Sequence, residues 1–250
     1  MNTINVTFED GTNVSCPIGT EVGSLVKDHA KPSALPYIAA IVNNDTSSLS
    51  YPLSYNSAVR FLTAADPHGW RIYRHSLCFL LAKAVRELYP AASFSVEHSF
   101  GMGLYCSFRK NAGPEGISEE DVSAIESRMR EIVRQDVVIE RRKVSYTDAV
   151  RAFEESGQQD RLNLLKYRNP PHIVIHYCLG FSDLSHGPLV PSTGVLSLFK
   201  LIRYKPGFVL HLPDRTDMKV LPPFEDQPNL FQVFQEHKQW GRVLGVNTVG

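Results

Sequence analysis

The sequence predicts an α+β fold, in which strands joined by tight turns alternate with amphipathic helices. Several short segments alternate apolar and polar residues around Asp-Gly or Pro-Gly turns, which is typical of β-hairpins. Several longer segments repeat apolar residues every third or fourth position, which is typical of helices with one buried face. A chain of 250 residues is long enough for one large or two ordinary domains with proper cores.

The first 65 residues predict a small, strand-rich domain. Asp10 and Gly11 supply the turn of a hairpin, and Thr20 is the expected N-cap of a short helix that Pro32 ends. The strands are predicted at residues 4–9, 13–18, 37–43 and 59–63. Residues 65–69, where a proline and a glycine interrupt a polar stretch, are expected to form the boundary with the rest of the chain.

The remaining two thirds predict alternating helices and strands. A long helix is expected to open at His75 and to end before Pro90. Capping-box spacing predicts the starts of two further helices, at Ser118 with Asp121 and at Ser145 with Asp148. The other predicted elements are a strand that begins at residues 137–139, a helix at 160–167, strands at 173–178, 199–204 and 208–212, and a last helix at 229–244.

The composition restricts the classes of function. Lys+Arg and Asp+Glu are 26 each, and this zero net charge argues against strong, sequence-blind attraction to nucleic acid, although a local basic face is compatible with it. The four cysteines form no CxxC pair, which excludes a compact zinc knuckle or a thioredoxin-type motif. With no signal-peptide pattern and no apolar run of membrane-spanning length, we expect a cytoplasmic protein without a membrane partner.

Two polar features stand out within the predicted strands and their flanks. Arg141, Arg142 and Lys143 form a tight basic cluster and are candidates for phosphate or RNA contact, although the neighbouring Glu140 weakens this signal. His176 lies inside an apolar strand, and we interpret it as a hydrogen-bonded core or strand histidine rather than a ligand.

Three segments carry a resemblance to a known family. RHSLCFLLAKAVRELYP (residues 74–90), GMGLYCSF (101–108) and VSYTDAVRAF (144–153) are similar to parts of the editing domain, or second additional domain, of threonyl-tRNA synthetase. The order of elements before them resembles the ubiquitin-like β-grasp of the TGS domain, which commonly precedes that editing domain. The resemblance implies a TGS domain at residues 1–65, an editing-like α+β domain at 66–215, and a linker with a C-terminal helix at 216–250.

In that family, a His-x-x-x-His helix and a Cys-x-x-x-His loop line the site that removes misattached serine from tRNA. The resemblance places the first histidine at His75 and fills the other three positions with Phe79, Ser185 and Leu189. Phenylalanine and leucine have no lone pair to donate, and a serine hydroxyl is a poor ligand for a soft metal. The resemblance therefore implies a degenerate site with no catalytic residue and no metal.

Some polar residues of the family's pocket remain. Tyr105 and Asp183 occupy positions where the family has polar pocket residues, and His186 stands where it has an arginine. We expect this pocket to hold tRNA or a nucleoside-like small ligand. Its candidate residues are His75, Phe79, Tyr105, Asp183, Ser185, His186 and Leu189.

A second resemblance covers nearly the whole chain. RIYRHSLCFLL (residues 71–81), LSHGPLVPSTG (184–194) and PNLFQVFQEHKQWGRVLGVNTVG (228–250) are similar to the N-terminal half of bacterial nucleoside kinases of the uridine kinase type. In those proteins a kinase domain follows in cis. The phosphate-loop signature G-x-x-x-x-G-K-[ST] does not occur in these 250 residues. We therefore expect no kinase activity and no cofactor here, ATP and magnesium belonging only to the domain that follows.

Three hypotheses for the function follow. The leading one is a non-catalytic regulatory or binding region of a bacterial uridine kinase. The alternative is a tRNA-binding protein or a trans-editing aminoacyl-tRNA deacylase related to threonyl-tRNA synthetase. The third is a scaffold that only mediates formation of a homo-oligomer.

Overall fold

A computed structural model of the chain describes residues 2–110, 116–167, 170–185 and 187–245. Helices and three separate sheets make it an α+β fold, as the sequence predicts. The described residues divide into two compact units, 2–83 with 128–197 and 84–127 with 198–245. The first unit holds a five-stranded and a three-stranded sheet, and the second holds a four-stranded sheet.

The five-stranded sheet is built from the first 63 residues. Its strands are β1 (Thr3–Phe8), β2 (Asn13–Pro17), β3 (Tyr37–Val42), β4 (Asp45–Ser48) and β5 (Ser57–Thr63). They lie in the order β2-β1-β5-β3-β4, with β1 parallel to β5 and the other pairs antiparallel. A 3-10 turn (Val22–Leu25) leads into α1 (Val26–His29). This arrangement is consistent with the predicted β-grasp fold, while the domain boundary at residue 65 stays a prediction.

The alternation of β1 explains its position. Ile4, Val6 and Phe8 point into the core, and the residues between them are exposed. Gly11 takes a φ of +84° in the β1–β2 turn, a conformation that favours glycine. The expected cap at Thr20 is wrong, because its hydroxyl donates to the Pro17 carbonyl at 2.7 Å instead of capping the helix.

The three-stranded sheet contains β8 (Glu140–Ser145), β9 (His172–Cys178) and β10 (Phe181–Leu184), paired antiparallel in the order β10-β9-β8. Two helices, α4 (Tyr146–Glu155) and α5 (Gln159–Leu165), pack on one face of it. The core of this layer consists of Ala149, Phe153, Leu165, Ile173 and Ile175. Strand β10, which carries Asp183, was not predicted.

The long helix α2 (Pro67–Leu88) begins well before the expected start at His75. Trp70 donates its backbone N–H to the Asp66 carbonyl at 2.7 Å, and proline is well suited to the first helical position. Residues 67–69 therefore belong to the helix, and the polar link expected at 65–69 is wrong over these positions. The apolar stripe predicted at residues 77, 80, 81, 84, 85 and 88 is buried at every position except Leu88, which is 39% exposed.

The four-stranded sheet contains β6 (Ser93–Phe100), β7 (Gly103–Arg109), β11 (Lys200–Tyr204) and β12 (Gly207–His211), in the order β11-β12-β7-β6. Helix α3 (Glu119–Gln135) starts at the predicted capping box, where the backbone N–H of Asp121 donates to the Ser118 hydroxyl at 3.1 Å. Helix α6 (Pro228–Val243) packs Phe231 against Phe100 and Tyr105 of this unit. None of the described helices is long and apolar enough to cross a membrane.

Candidate functional site

Asp183 is a buried residue of the predicted pocket whose carboxylate is hydrogen-bonded within the protein. Its side chain is buried, and the Arg161 guanidinium on α5 donates to Oδ2 at 2.7 Å. The backbone N–H of Leu184 donates to Oδ1, also at 2.7 Å. Burial raises the pKa of the Asp183 carboxyl, and the nearby Arg161 charge only partly opposes this effect. Both carboxyl oxygens therefore already have partners from the protein itself.

Phe79 and Leu189 are packed as core residues. Their exposed fractions are 6% and 3%, and the Phe79 ring meets the edge of Phe181 with centroids 5.2 Å apart. The family's imidazoles at these positions are thus replaced by buried hydrocarbon, which offers no lone pair. Within the described ranges, no group of three or more His, Cys, Asp or Glu residues is placed to hold a metal ion. The side chains present do not fit the family's His and Cys donor set.

The other predicted pocket residues have different surroundings. Ser185 donates its hydroxyl to the Gly187 carbonyl at 2.8 Å, and His75 lies exposed on α2. Tyr105 lies on β7, in the other compact unit, where burial raises the pKa of its hydroxyl to about 12. His186 lies outside the described residues. That all seven residues form one pocket stays a prediction.

A separate cavity lies in the first unit and has a volume of about 530 Å³. We name it the β8–β9 cleft. It is lined by Glu21 and Gly23, residues 48–50, residues 138–141, His176 and residues 189–191. Of the predicted pocket it includes only Leu189, and of the basic cluster only Arg141.

The walls of the β8–β9 cleft are held by backbone hydrogen bonds. Val190 donates its N–H to the buried Ser76 hydroxyl on α2 at 2.9 Å. Ile139 donates to the Pro191 carbonyl at 2.9 Å, and Gly23 donates to the Leu49 carbonyl at 2.7 Å. Because each wall segment is anchored in this way, the cleft is largely preformed.

His176 has the least satisfied side chain in this cleft. It is 1% exposed and lies on β9, as expected for a core or strand histidine, but the expected hydrogen bond is wrong, because neither ring nitrogen has a partner among the described residues. Burial lowers the pKa of the imidazole to about 4, and the Arg141 charge acts in the same direction. The ring is therefore neutral near pH 7, with one donor and one acceptor nitrogen.

The basic cluster is divided between the two faces of the three-stranded sheet. Arg141 stands in register with His176, on the face that lines the cleft. Arg142 points to the other face, where its guanidinium lies 4.7 Å from the Tyr177 ring centroid and donates to Glu140 at 3.0 Å. Lys143 is exposed on the same strand face as Arg141. The three side chains thus do not form one phosphate-binding patch.

Arg141 and Leu189 are candidates from the sequence alone, but the cleft that they share is not predicted by it. One signal was present: the alternation in IVIHYC puts His176 on the strand face opposite Ile173 and Ile175. The pairing with Arg141 depends on the register of β8 and β9, which local pattern does not determine.

Comparison with known proteins shows that the chain is similar in sequence to threonine–tRNA ligases. No protein-family profile matches it. The threonine–tRNA ligases of a Geobacter species and of Citrifermentans bemidjiense are 30% identical to it over 201 residues, and that of Francisella tularensis subsp. novicida is 30% identical over 200 residues. Each alignment covers 80% of this chain and 31% of the relative. The chain thus spans about a third of these relatives' length and is distantly homologous to the N-terminal region of threonine–tRNA ligases.

Proposed function

We propose that this chain is a cytoplasmic tRNA-binding region related to threonine–tRNA ligases, which recognises the acceptor end of tRNA without hydrolysing an aminoacyl bond. The tRNA partner is supported by the homology to enzymes that are named for their action on tRNA. The absence of hydrolysis rests on one observation. Phe79 and Leu189 are buried hydrocarbon where the editing family has imidazoles.

The chemistry of hydrolysis explains why these two positions matter. General acid or base catalysis needs a titratable group within hydrogen-bond reach of the attacking water. Asp183 is held by Arg161 and by the Leu184 amide, and Ser185 is bonded to Gly187. Ser185 has no imidazole among its described hydrogen-bond partners to activate it as a nucleophile. Both oxygens of the Asp183 carboxylate are bonded to the protein itself, so a water molecule would compete with these partners for the carboxylate.

Binding and hydrolysis are tested in parallel on the purified chain. We expect retardation of bulk tRNA in gel-shift assays, weakening steeply as salt rises because phosphate contacts release counterions. Lys143→Gln should lower the salt slope by about one, while Lys166→Gln, an exposed lysine on the helical side of the same sheet, should not. Seryl-tRNA should remain intact. Its hydrolysis would favour the trans-editing deacylase, and a dimer that binds no tRNA would favour the scaffold.

A second, more specific part of this proposal is that the chain is a region of a nucleoside kinase. It is supported by the motif resemblance of residues 71–81, 184–194 and 228–250, whereas the relatives described above are threonine–tRNA ligases. In that context the chain would regulate or localise a uridine kinase domain in cis. Because the phosphate-loop signature is missing from these 250 residues, the purified chain should not catalyse the phosphorylation of uridine by ATP. Uridine monophosphate formation by the chain alone would contradict this expectation.

A further inference from the structure

We propose that the β8–β9 cleft is a binding site for a nucleoside monophosphate, with the base against the apolar wall and the His176 ring, and the phosphate on Arg141. This site shares only Leu189 with the editing-like positions, and it does not depend on the proposed tRNA binding. Three properties of the cleft carry the inference: its size and walls, its unpartnered histidine, and its charge pattern.

The size and the walls suit a small planar ligand. A volume of about 530 Å³ falls within the usual range of small-molecule sites, which are mostly apolar with a few placed polar groups. The apolar wall consists of Leu49, Val138, Ile139, Leu189, Val190 and Pro191. Such a surface buries the faces of a nucleobase and leaves the base edge to the polar side chains.

The unpartnered histidine favours a ligand that has both a hydrogen-bond donor and a hydrogen-bond acceptor. A buried polar group without a partner costs free energy, and native structures rarely leave one unsatisfied. His176 lines the cleft and is almost fully buried, with both ring nitrogens unbonded to any described residue. A neutral imidazole offers one donor and one acceptor, and nucleobase edges present both kinds of group.

The charge pattern favours one phosphate over a polyanion. Arg141 lines the cleft and forms no ion pair with the residues that the structure describes, while the adjacent Arg142 is bonded to Glu140. A guanidinium binds phosphate oxygens in bidentate fashion. Glu21 also lines the cleft, and its carboxylate accepts hydrogen bonds of the type that ribose hydroxyls donate. Because this carboxylate and Arg141 both line the cleft, a nucleic-acid backbone or a triphosphate would bring excess negative charge.

The test is a calorimetric titration of the full chain with AMP, GMP, CMP and UMP. At least one of them should bind, and Arg141→Gln should weaken its binding about tenfold, the loss expected for one charge-assisted phosphate contact. Arg142→Gln is the matched control, an arginine one position along the same strand but on the other face, and should leave the dissociation constant unchanged. His176→Phe, which keeps a flat ring and removes both nitrogens, should also weaken the binding. Circular dichroism checks that each variant is folded.

Two results would overturn the proposal. One is the absence of binding by all four nucleotides at millimolar concentration, and the other is an equal loss in the Arg141 and Arg142 variants. Competition with tRNA distinguishes the source of the nucleotide. If tRNA with an intact 3′ end displaces the bound nucleotide, the site takes the terminal nucleotide of tRNA, and if it does not, the site takes a free nucleotide. Either result supports nucleotide binding in the cleft. The gel-shift assay tests the proposed tRNA binding independently of this titration.

Discussion

At the scale of single residues, the Arg161–Asp183 pair ties α5 to β10. The Asp183 side chain is buried and the Arg161 side chain is 31% exposed, so the pair is partly screened by solvent. Removing one partner of a buried pair leaves the other desolvated and unmatched. We expect Asp183→Asn to lower the free energy of unfolding by about 2 kcal/mol, less than a fully buried pair would lose. Urea denaturation at neutral pH measures this change.

The matched control for that variant is Glu131→Gln. Glu131 pairs with Arg128 on α3 at 3.0 Å, and the Glu131 side chain is 48% exposed, against 9% for Asp183. Surface pairs of this kind contribute about 0.5 kcal/mol or less. Equal effects of the two substitutions would show that the Asp183 pair does not stabilise the fold.

His176 gives the molecule a predictable response to acid. Its pKa is about 4 in the folded state, against 6.5 for an unperturbed histidine, because of burial and the Arg141 charge. The unfolded chain therefore binds a proton that the folded chain rejects, and stability is lost as the pH falls from 6.5 to 4. The loss attributable to this group is about 3 kcal/mol over that interval.

Measurement of the free energy of unfolding at several pH values checks this response. The stability of His176→Gln, which cannot titrate, should fall less over the same interval than that of the natural chain. Asp183, in register with His176 on β10, and Arg141 on β8 are the charged groups facing it across the sheet, and both are retained in the variant. Parallel curves for the two proteins would assign the acid sensitivity to other groups.

At the scale of secondary-structure elements, local chemistry determines where α4 begins. The Ser145 hydroxyl accepts a hydrogen bond from the Asp148 amide at 3.1 Å, which confirms the second predicted capping box. We expect Ser145→Ala to lower the free energy of unfolding by about 1 kcal/mol, the usual cost of a lost N-cap. Ser123→Ala, at an exposed position inside α3, should change it by less than about 0.5 kcal/mol. Thermal or urea denaturation of both variants tests the cap, and equal effects would contradict it.

Elements defined by non-local contacts were harder to predict. Strand β4 carries the residues Asp45–Ser48, whose polar sequence gives no apolar alternation, and it exists through pairing with β3. Strand β10 likewise depends on its pairing with β9. The start of α2 was misplaced because Pro67 and Gly69 look like turn residues, although proline is favourable at a first helical position.

The candidate site shows the same division between local and non-local information. The replacement of metal-binding residues by Phe79, Ser185 and Leu189 is visible in the sequence, because it depends only on residue identity. The β8–β9 cleft is not visible, because residues 21–23, 48–50 and 189–191 meet there through the tertiary fold. Hydrophobic alternation predicts which face His176 occupies, and only the strand register places Arg141 beside it.

At the scale of the whole molecule, the fold class and most of the elements follow from local patterns, and the grouping of elements does not. Strand β12 pairs with β7 across about a hundred residues of sequence, which no local periodicity indicates. The compact units likewise join residues 2–83 with 128–197. The predicted boundary at residue 65 therefore needs a test of its own.

The contacts within the first 66 residues suggest that this segment can fold alone. Its core, which includes Val6, Val22, Leu53 and Val59, lies entirely between residues 4 and 61. Strand β1 pairs with β5, so the first and the last strand of the segment are hydrogen-bonded to each other. Asp66 closes it by accepting hydrogen bonds from the Thr63 amide and hydroxyl at 2.8 and 3.2 Å.

We expect a fragment of residues 1–66 to give a dispersed amide NMR spectrum and a cooperative thermal transition. Its stability should be small, because a domain of this size buries a limited fraction of its surface. Ile38 and Leu62 are fully buried in the chain but do not belong to that core cluster, so the fragment should melt below the intact protein. Val6→Ala in the fragment is the control: it opens a cavity in the core and should abolish the dispersion. A collapsed spectrum for the natural fragment would place the boundary elsewhere and would make the five-stranded sheet dependent on the rest of its unit.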